Sequence, residues 1–534
     1  MTAPLDLLLL NGVVHARPGD APHQAIGVRD RRVVAIGSNL RLREAAGSTT
    51  RVVDLGGRAV LLGFVDSHVH FLSWCLGLRR VQLEGVARLD QALAAVAEAV
   101  GRAPDGAWIE GWGWNKNLWG GFPSRADLDR VAPRHPVALT SKDGHALWVN
   151  SLALRAAGID AHTLDPDGGR IVRDERGVPS GVLLERAQER VRSVVPQPSV
   201  DVCIAALREG LPAALARGLT GICELGAPEV QHDTLVAAYR AIQQGGELPL
   251  RVSLGIPHDL FGHAAILGIW SGFGSARLRI GPLKIFTDGA LGPQTAAMLE
   301  PYEGSDDRGI PTIERASLEQ ALQHARRSGI GVALHAIGDA AIRGALDALE
   351  ATARSVAAPP GTPPPRIEHA QLVHPDDVPR FAQLGVIASM QPIHATSDME
   401  MADRHWGRRA RHAYAWRSLI DAGATLAFGT DAPVERIEPL HSLYAAVTRQ
   451  RENGEPSGGW YPEQCLTLAE AVRAYTHGSA IAGGFERDQG ELTPGMLADF
   501  VVLADDVFSA PPETLLRTRV EITAIGGEIA FERS

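Results

Sequence analysis

Two histidines near residue 70 are placed where they could bind a metal ion together. His68 and His70 follow the apolar run 59–66 and are separated by one residue. Residues two apart in a β-strand point to the same side, so both imidazoles can reach one ion. A His-x-His pair also occurs by chance on protein surfaces. Its position at the end of an apolar strand favours metal binding, because barrel enzymes build their sites at such ends.

Three more potential ligands end apolar runs elsewhere in the chain. His335 ends GIGVALH, His369 lies in RIEHAQ, and Asp431 ends TLAFGTD. Each has a structural alternative when taken alone: a buried histidine can be satisfied by the core, and an aspartate can cap the following helix. Together with the first pair, however, imidazole and carboxylate ligands suit zinc or a similar divalent ion.

Lys284 is the sixth candidate ligand. The chain has 52 lysine and arginine residues, and only three of them are lysines. Lys284 lies inside the apolar run LRIGPLKIFT, where a charged amine is costly unless it is paired or neutral. One interpretation is an ion pair with Asp288. The other is a neutral amine that has taken up CO2, so that the resulting carbamate bridges two metal ions.

The elements that would position these residues alternate between short apolar strands and amphipathic helices. Helical periodicity is found, for example, in 91–100 and 316–327. Such alternation indicates a parallel sheet, and eight strands fit a (β/α)8 TIM barrel better than an open doubly wound sheet. The strand candidates are 59–66, 218–225, 250–256, 278–287, 329–335, 366–371, 385–391 and 425–431. The six candidate ligands then belong to strands one, four, five, six and eight.

The two ends of the chain have a β pattern of their own. Residues 5–17 alternate around an Asn-Gly turn, and residues 26–36 form a second predicted hairpin. We therefore predict a small β-sandwich built from both termini, and an insertion after strand one that covers the mouth of the barrel. The predicted divisions are 1–58 with 485–534 for the sandwich, 59–104 with 196–484 for the barrel, and 105–195 for the insertion.

The predicted insertion contains a tryptophan-rich loop, GWGWNKNLWGG. Trp112, Trp114 and Trp119 have two possible roles. They could line a pocket for an apolar or aromatic group of a substrate, or they could anchor the insertion's own small core.

Composition excludes several classes of protein. The chain is 45% hydrophobic with a net charge of −10 and no long basic run, so nucleic acid is not an expected partner. No apolar stretch is long enough to span a membrane, and no signal peptide is evident. The four cysteines are far apart and form no CxxC pair, so we expect reduced thiols and a cytoplasmic location.

The motifs around these residues resemble the amidohydrolase superfamily. More specifically, they resemble amidohydrolase family 3, the group that includes N-substituted formamide deformylase. The resemblance extends over nearly the whole chain. The matching stretches are GFVDSHVHF, VALTSKDGHALWVNS, KIFTDGALG, ALHAIGDAA, RIEHAQ, ASMQPIHA, FGTDAPVE and GELTPGMLADFVVL.

The resemblance implies a binuclear hydrolase with two divalent ions, of which zinc is the expected metal. His68, His70 and Asp431 would bind one ion, and His335 and His369 the other. Carbamylated Lys284 would bridge them together with a hydroxide. That hydroxide would attack a carbonyl carbon, and Asp431 would carry its proton to the leaving nitrogen.

The resemblance also suggests contacts with a small-molecule substrate. His145 would face the substrate, and Gln391 and His394, after strand seven, are weaker candidates; Trp114 belongs here if the tryptophans line a pocket. The expected reaction is hydrolysis of a non-peptide amide C–N bond.

Other functions are compatible with the same scaffold. The same ligands would serve a metal-dependent esterase or lactonase. A lyase or isomerase on this scaffold is more remote. The protein could also be a barrel that binds a ligand without catalysing a reaction, although the intact set of metal ligands argues against this. A homodimer is a further expectation, since dimers are common among barrels of this type.

Overall fold

The computed structural model describes residues 4–141 and 146–534. The chain forms two compact units. The larger unit consists of Met1–Trp74, Leu207–Pro228 and His232–Ser534, and the smaller one of Cys75–Ala206 and Glu229–Gln231. The division into sandwich, barrel and insertion at the residues given above stays a prediction.

The larger unit contains an eight-stranded parallel sheet, whose strands we label β1 to β8. They pair in chain order, and most of their residues are buried, as expected for a parallel sheet covered on both faces. The strands are Phe64–Val69, Leu219–Glu224, Arg251–Pro257, Leu278–Phe286, Val332–Ala336, Arg366–His369, Ile387–Met390 and Leu426–Phe428.

The sheet curves into a nearly closed barrel. Its first and last strands come together where the Asp431 amide donates a hydrogen bond of 2.7 Å to the carbonyl of His68. The predicted (β/α)8 architecture is therefore confirmed, and the candidate ligands on β1 and β8 are neighbours.

Helices connect the barrel strands and bury one face. In Arg315–Arg327, for example, Leu318, Leu322 and Ala325 are buried while the arginines at its C-terminal end remain accessible. Val200–Leu215 begins in the smaller unit and ends in the larger one. The other helices of the larger unit are Asn39–Arg43, His232–Gln244, Phe261–Ile266, Asp339–Ser355, Val378–Leu384, Pro392–Trp406, Trp416–Asp421, Pro439–Thr448, Leu468–Arg473 and Ser479–Ala482.

Two further sheets in the larger unit are formed by residues near both termini. Their buried residues form one hydrophobic cluster that includes Leu7, Val60, Phe500 and Ile522. The four-stranded sheet contains Leu7–Leu10, Ala25–Arg29, Arg32–Gly37 and Arg51–Asp54. The five-stranded sheet contains Val13–Val14, Ala59–Leu62, Phe500–Leu503, Val520–Ile525 and Glu528–Glu532.

Two sequence predictions in this region were wrong. The apolar run 59–66 is two strands, because Ala59–Leu62 pairs with Phe500–Leu503 and the barrel strand starts only at Phe64. Gly63 separates them, and a Cβ there would lie 2.2 Å from Thr220 Cγ2. The predicted hairpin in 5–17 does not form, because its two halves join different sheets.

The smaller unit is built on a six-stranded sheet of its own. The strands are Val81–Gln82, Ile109–Trp114, Val137–Ser141, Ala146–Val149, Gly169–Arg173 and Pro179–Glu185. Its helices are Leu89–Arg102, Lys116–Trp119, Arg125–Val131, Ser151–Ala156 and Glu189–Arg192; Phe71–Leu78 runs into it from the larger unit. Within residues 4–141 and 146–534, no helix has the length and apolar character needed to cross a membrane.

Candidate metal centre

Three of the predicted ligands converge at the end of the barrel where β1 and β8 meet. The Nε2 atoms of His68 and His70 each lie 3.4 Å from Asp431 Oδ1. These ligand atoms are all close enough to one another to hold a single ion. The two histidines at the end of β1 therefore point to the same side and can reach one ion, as the sequence predicted.

The other ring nitrogen of each histidine is already engaged. His70 Nδ1 donates to the carbonyl oxygen of Gly226 over 2.6 Å, and His68 Nδ1 donates to Glu368 Oε2 over the same distance. Because a carbonyl oxygen can only accept, the proton of His70 must be on Nδ1. With Nδ1 carrying the proton, each neutral ring offers its Nε2 lone pair, which is the form in which an imidazole binds metal.

His335 and His369 show the same division of roles. His335 Nε2 donates to the carbonyl oxygen of Gly289 over 3.0 Å, and His369 Nδ1 donates to Gln391 Oε1 over 2.9 Å. Their ring centroids are 4.6 Å apart, and the His369 ring is 4.8 Å from that of His68. Each ring keeps one nitrogen available as a ligand.

Burial keeps three of these imidazoles neutral, whereas burial of His70 is outweighed by the hydrogen bond and charge of Asp431, which raise its pKa. Burial, together with the nearby Lys284 charge, lowers the pKa of His68 to about 4 and that of His335 to about 3. The pKa of His369 is also shifted well below its usual value, first by burial and then by the neighbouring His335. Neutral imidazoles at pH 7 fit divalent metal ions.

His394 differs from the other histidines because both of its nitrogens face carboxylates. Nε2 lies 3.1 Å from Asp431 Oδ2, and Nδ1 lies 3.3 Å from Glu435 Oε1. Although burial opposes it, hydrogen bonding to these two acids raises the pKa of His394 to about 10. His394, His369 and Asp431 are also close enough to form a ligand group. With both nitrogens protonated, however, His394 is suited to hold a proton and not a metal ion.

Lys284 is 5% exposed and lies on β4, with its Nζ 5.0 Å from the centre of the Phe286 ring. Asp288, the alternative ion-pair partner of Lys284, accepts backbone hydrogen bonds from Ala297, Ile337 and Gly338 and, in the part of the chain that the structure describes, forms no ion pair with Lys284. Burial lowers the pKa of Lys284 to about 8, even though Glu368 and Asp431 act to raise it. The amine is thus far easier to deprotonate than an exposed lysine.

Glu368 is a buried carboxylate between Arg366 and His68. Its Oε1 lies 2.7 Å from Arg366 Nε, and its Oε2 accepts the bond from His68. Burial acts to raise the pKa of Glu368, but the charge of Arg366 and the interaction with His68 overcome it and lower the pKa to about 2. Glu368 therefore stays ionised and fixes the orientation of the His68 ring.

Asp66 holds the loop that carries Asp431. Its Oδ2 accepts a bond of 2.6 Å from Thr430 Oγ1, and its Oδ1 accepts from the amides of Thr430 and His68. Burial raises the pKa of Asp66 to about 7 despite these bonds. The carboxyl group thereby ties the end of β1 to the residues that follow β8.

Glu224, at the end of β2, fixes the backbone that orients the His70 ring. It accepts bonds from the amides of Leu72 and Gly226 and from the hydroxyl of Tyr239. Since the Gly226 carbonyl accepts the bond from His70, the carboxylate positions that ring through one intervening residue.

Two of the candidate ligands have strained backbones. His369 has φ +71° and Asp431 has φ +57°, in the left-handed region that residues other than glycine seldom adopt. Each such conformation costs on the order of 1–3 kcal/mol and is retained where the surroundings enforce it, commonly at functional sites. The side chains of these two residues approach each other, with His369 Nδ1 4.0 Å from Asp431 Oδ2.

The remaining predicted contacts have different outcomes. His145 lies outside the described residues. Gln391 and His394 are at the metal centre, bonded to His369 and Asp431. Trp114 is 1% exposed in the core of the smaller unit, packs on Trp119 and donates to the carbonyl of Leu139. Of its two possible roles, these contacts favour the structural one.

Sequence patterns did not identify Glu368, Asp66 and Glu224 as supporting residues, or Phe286 as an exposed ring at the site. Phe286 is 54% exposed and its ring centroid lies 5.0 Å from that of His335. Glu368 could have been found, because an acid inside the apolar strand RIEH is as unusual as Lys284 in its own strand.

The fold and this centre define a class of protein. Residues 51–531 match the sequence family described as the Amidohydrolase family. The match spans nearly the whole chain and includes all six candidate ligands. The chain belongs to the amidohydrolase family, and with its metal-binding arrangement it is a metal-dependent hydrolase.

Individual relatives agree with this assignment. The putative amidohydrolase YtcJ of Bacillus subtilis (strain 168) is 34% identical over 521 residues, which cover 96% of each chain. N-substituted formamide deformylase of Arthrobacter pascens is 29% identical over the full length of both chains. The crystal structure of an uncharacterized metal-dependent hydrolase from Pyrococcus furiosus has a TM-score of 0.78 at 28% identity. The superposition covers 94% of this chain and 99% of the Pyrococcus chain.

Proposed function

We propose that this protein is a binuclear metal-dependent amidohydrolase that cleaves a non-peptide amide C–N bond in a small organic substrate. The proposed metal is zinc. His68, His70 and Asp431 would hold one ion and His335 and His369 the other, with a carbamate on Lys284 between them. The observation that carries the proposal concerns the four histidine rings. One nitrogen of each ring is hydrogen-bonded to an acceptor, so the other nitrogen can serve as a metal ligand.

The donor set fits the proposed metals. Neutral imidazoles and a carboxylate are typical zinc ligands, and metal-bound histidines commonly donate their other N–H to a carboxylate or a carbonyl oxygen. The lowered pKa of Lys284 supports the carbamate, because only the neutral amine reacts with CO2. When bound, such ions lower the pKa of water and polarise a carbonyl oxygen.

Asp431 and His394 would accept and donate the protons that are transferred during hydrolysis. Asp431 is ionised, since its pKa is well below the usual value owing to His68 and the hydrogen bond from His394, although burial opposes this. It can therefore accept a proton on Oδ2 and pass it to the leaving nitrogen. His394, held between Asp431 and Glu435, would keep that oxygen oriented and supply a second proton nearby.

The substrate class is proposed from a relative and from one side chain. The Arthrobacter protein is named for its action on N-substituted formamides. The exposed ring of Phe286 beside His335 would contact an apolar N-substituent. We therefore propose formamides and related small amides with an apolar substituent as substrates. The four cysteines are free thiols, which supports the proposed cytoplasmic location.

The metal count tests the binuclear centre directly. Wild type, Lys284→Ala and the exposed-lysine control Lys116→Ala would be produced with added zinc and bicarbonate and assayed by plasma mass spectrometry. We expect about two metal ions per chain in wild type and in the control, and a clear loss in Lys284→Ala. One ion, unaffected by Lys284→Ala, would remove the carbamate bridge. Near-zero metal in an active wild type would overturn the whole proposal.

A substrate panel separates the amide proposal from the esterase and lactonase alternative. Matched amides and esters with the same alkyl or aryl groups would be compared by kcat/KM in zinc-loaded protein. We expect the substituted formamides to be preferred. Preference for esters or lactones would reassign the reaction while keeping the metal centre, and absence of turnover in metal-replete protein would favour a ligand-binding barrel.

A further inference from the structure

A cavity of about 410 Å³ lies at the end of the barrel opposite the metal centre. Its lining includes Gly281 in the first half of β4, Gly331 just before β5, and Pro364 just before β6. The metal ligands are found at or beyond the carboxyl ends of the strands. This cavity is therefore separate from the proposed catalytic site, although both belong to the larger unit.

The charges lining the cavity are predominantly positive. Four arginines line it, namely Arg279, Arg327, Arg366 and Arg487, and the carboxylate of Glu486 is the single acid among the lining residues. Within the described residues, Arg279, Arg327 and Arg487 form no ion pair. Such an excess of guanidinium groups around one concave space favours an anion.

Arg366 is the buried member of this set, at 1% exposure. Its Nη1 donates to the carbonyl of Ala482 over 3.2 Å, and its Nε faces Glu368. Its Nη2 is fully buried, and the side chain also interacts with the thiol of Cys223. Arg366 therefore adds positive charge at the buried side of the cavity without offering a free donor to a ligand.

The other arginines are progressively more accessible. Arg279 is half-buried, with its Nη1 bonded to the carbonyl of Gly484 and its guanidinium 4.1 Å from the centre of the Phe485 ring. Arg327 and Arg487 are exposed. The positive groups thus extend from solvent to a buried position, the arrangement expected for an anion that enters from outside.

The proline-rich segment 358–365 forms one wall of this cavity. Gly361 in that wall has φ +85°, and a Cβ at this position would come within 2.9 Å of Arg487 Nη2. The glycine therefore lets the loop lie against the guanidinium. On another side Trp270 is 50% exposed, with its ring edge-on to Phe273 at 5.0 Å. A planar group attached to the anion could pack on it.

We propose that this cavity binds an oxyanion of the phosphate class, either free phosphate or the phosphate group of a small organic ester. The guanidinium fork matches two oxygens of such a group, and Arg279, Arg327 and Arg487 are the accessible members of the set that can donate to it. The site is distinct from the hydrolytic centre and does not depend on the metal ions.

Isothermal titration calorimetry with inorganic phosphate, at fixed ionic strength, tests the proposal. Wild type is compared with the double variant Arg327→Gln/Arg487→Gln. Its control is Arg404→Gln/Arg408→Gln, which removes two exposed arginines outside the cavity lining. We expect one saturable site in wild type, binding weaker by about tenfold or more in the cavity variant because two charge-assisted bonds are lost, and a change within about twofold in the control.

A third protein, His70→Ala, excludes phosphate bound at the metal centre. Binding that survives in His70→Ala but is lost in the cavity variant supports the proposal and leaves the hydrolytic function untouched. Binding that is lost in His70→Ala, equal losses in both arginine double variants, or no saturable heat in wild type would each overturn it.

Phenyl phosphate then identifies the source of the anion. Tighter binding of phenyl phosphate than of inorganic phosphate, with the advantage removed in Trp270→Ala, supports an organic phosphate ester. Equal affinities support the free ion. Binding of neither probe contradicts the proposal.

Discussion

At the scale of single residues, the centre is organised by acceptors that each hold one nitrogen of a histidine. Glu368, the carbonyls of Gly226 and Gly289, and the Gln391 amide oxygen fix four ring orientations. An imidazole that is free to rotate would lose entropy on binding a metal. A ring that is already oriented loses little, so these partners should contribute to metal affinity without touching the ion.

The variant Glu368→Gln tests this argument. The neutral amide leaves the buried Arg366 without its counter-charge and weakens the bond to His68. We expect zinc affinity to fall by about 10- to 100-fold, as for other partners of metal-bound histidines. We also expect the free energy of unfolding to fall by about 3–5 kcal/mol, since a buried charge loses its partner. Chelator competition and urea unfolding measure the two effects.

Glu300→Gln is the control for that experiment. Glu300 is exposed, and its carboxylate lies 3.7 Å from Arg308 at the surface, so its loss should change stability by less than about 1 kcal/mol. Wild-type zinc affinity in Glu368→Gln would show that the His68 ring is oriented by other contacts.

The pKa of Lys284 gives a prediction about pH. A lysine with a pKa of about 8 is roughly one-tenth neutral at pH 7, whereas an ordinary lysine is almost fully protonated. Lowering a lysine pKa increases the neutral fraction at every pH below it. The initial rate of 13C-labelled CO2 uptake, followed by NMR at constant dissolved CO2 in metal-free protein, should rise about tenfold from pH 6 to 7 and level off above pH 8, because the rate is proportional to the neutral amine.

Lys284→Ala should give no such carbamate resonance. A rise that continues toward pH 10 and levels off only there would mean that the amine has an ordinary pKa and that burial does not activate it. The same profile in Lys284→Ala would assign the resonance to another amine, for which Lys116→Ala provides the comparison.

At this scale the sequence predicted which residue types end the strands, and the structure shows why it could not predict more. Ligands at strand ends can be recognised in the sequence because a metal-binding residue type directly follows, or ends, a short apolar run. The partner of His68 is 300 positions away along the chain, and only the barrel brings Glu368 to it. The partner of His70 is a backbone carbonyl, which leaves no trace in residue type.

At the scale of elements, the barrel is closed by a polar contact between its first and last strands. Asp66 on β1 accepts from Thr430, just after β8, through both amide and hydroxyl. Thr430→Val keeps the shape but removes the hydroxyl donor. We expect a loss of about 1–3 kcal/mol in the free energy of unfolding, because the buried Asp66 oxygen is left without a partner. Reduced metal content should accompany it, since Asp431 is the next residue.

Thr430→Ser is the matched variant, because it keeps the hydroxyl and loses only a methyl group. Urea unfolding should place it close to wild type and well above Thr430→Val. If both variants lose the same stability, the methyl packing and not the hydrogen bond to Asp66 holds the two strands together.

Element prediction failed where one apolar run serves two sheets. Nothing in AVLLGFVD marks a break except Gly63, and an isolated glycine inside a strand pattern also fits a bulge. The chain changes sheets there because Gly63 packs against Thr220, where no Cβ fits. That contact is between distant residues, so periodicity over a short window cannot detect it.

At the scale of the whole molecule, alternation of strands and helices was sufficient to predict the barrel. A parallel strand buried on both faces must be continuously apolar, and this pattern repeats eight times. The sheets formed by both ends are recognisable for a different reason, since their short strands have turn residues between them. Their pairing, as of Leu61 with Val501, joins positions that no local pattern connects.

Metal binding should also contribute to the stability of the larger unit as a whole. The ligands come from five strands, so the unfolded chain cannot present them together and the ions bind only the native state. Free zinc at 1,000 times its dissociation constant then stabilises by about 4 kcal/mol per site. We expect chelation to lower the midpoint temperature of unfolding in calorimetry, and zinc with bicarbonate to restore it. His70→Ala, with an incomplete first site, should respond less. An unchanged midpoint after complete metal removal would mean that the ions contribute to chemistry alone, and that the hydrogen bonds of Glu368, Asp66 and Glu224 hold the mouth of the barrel without them.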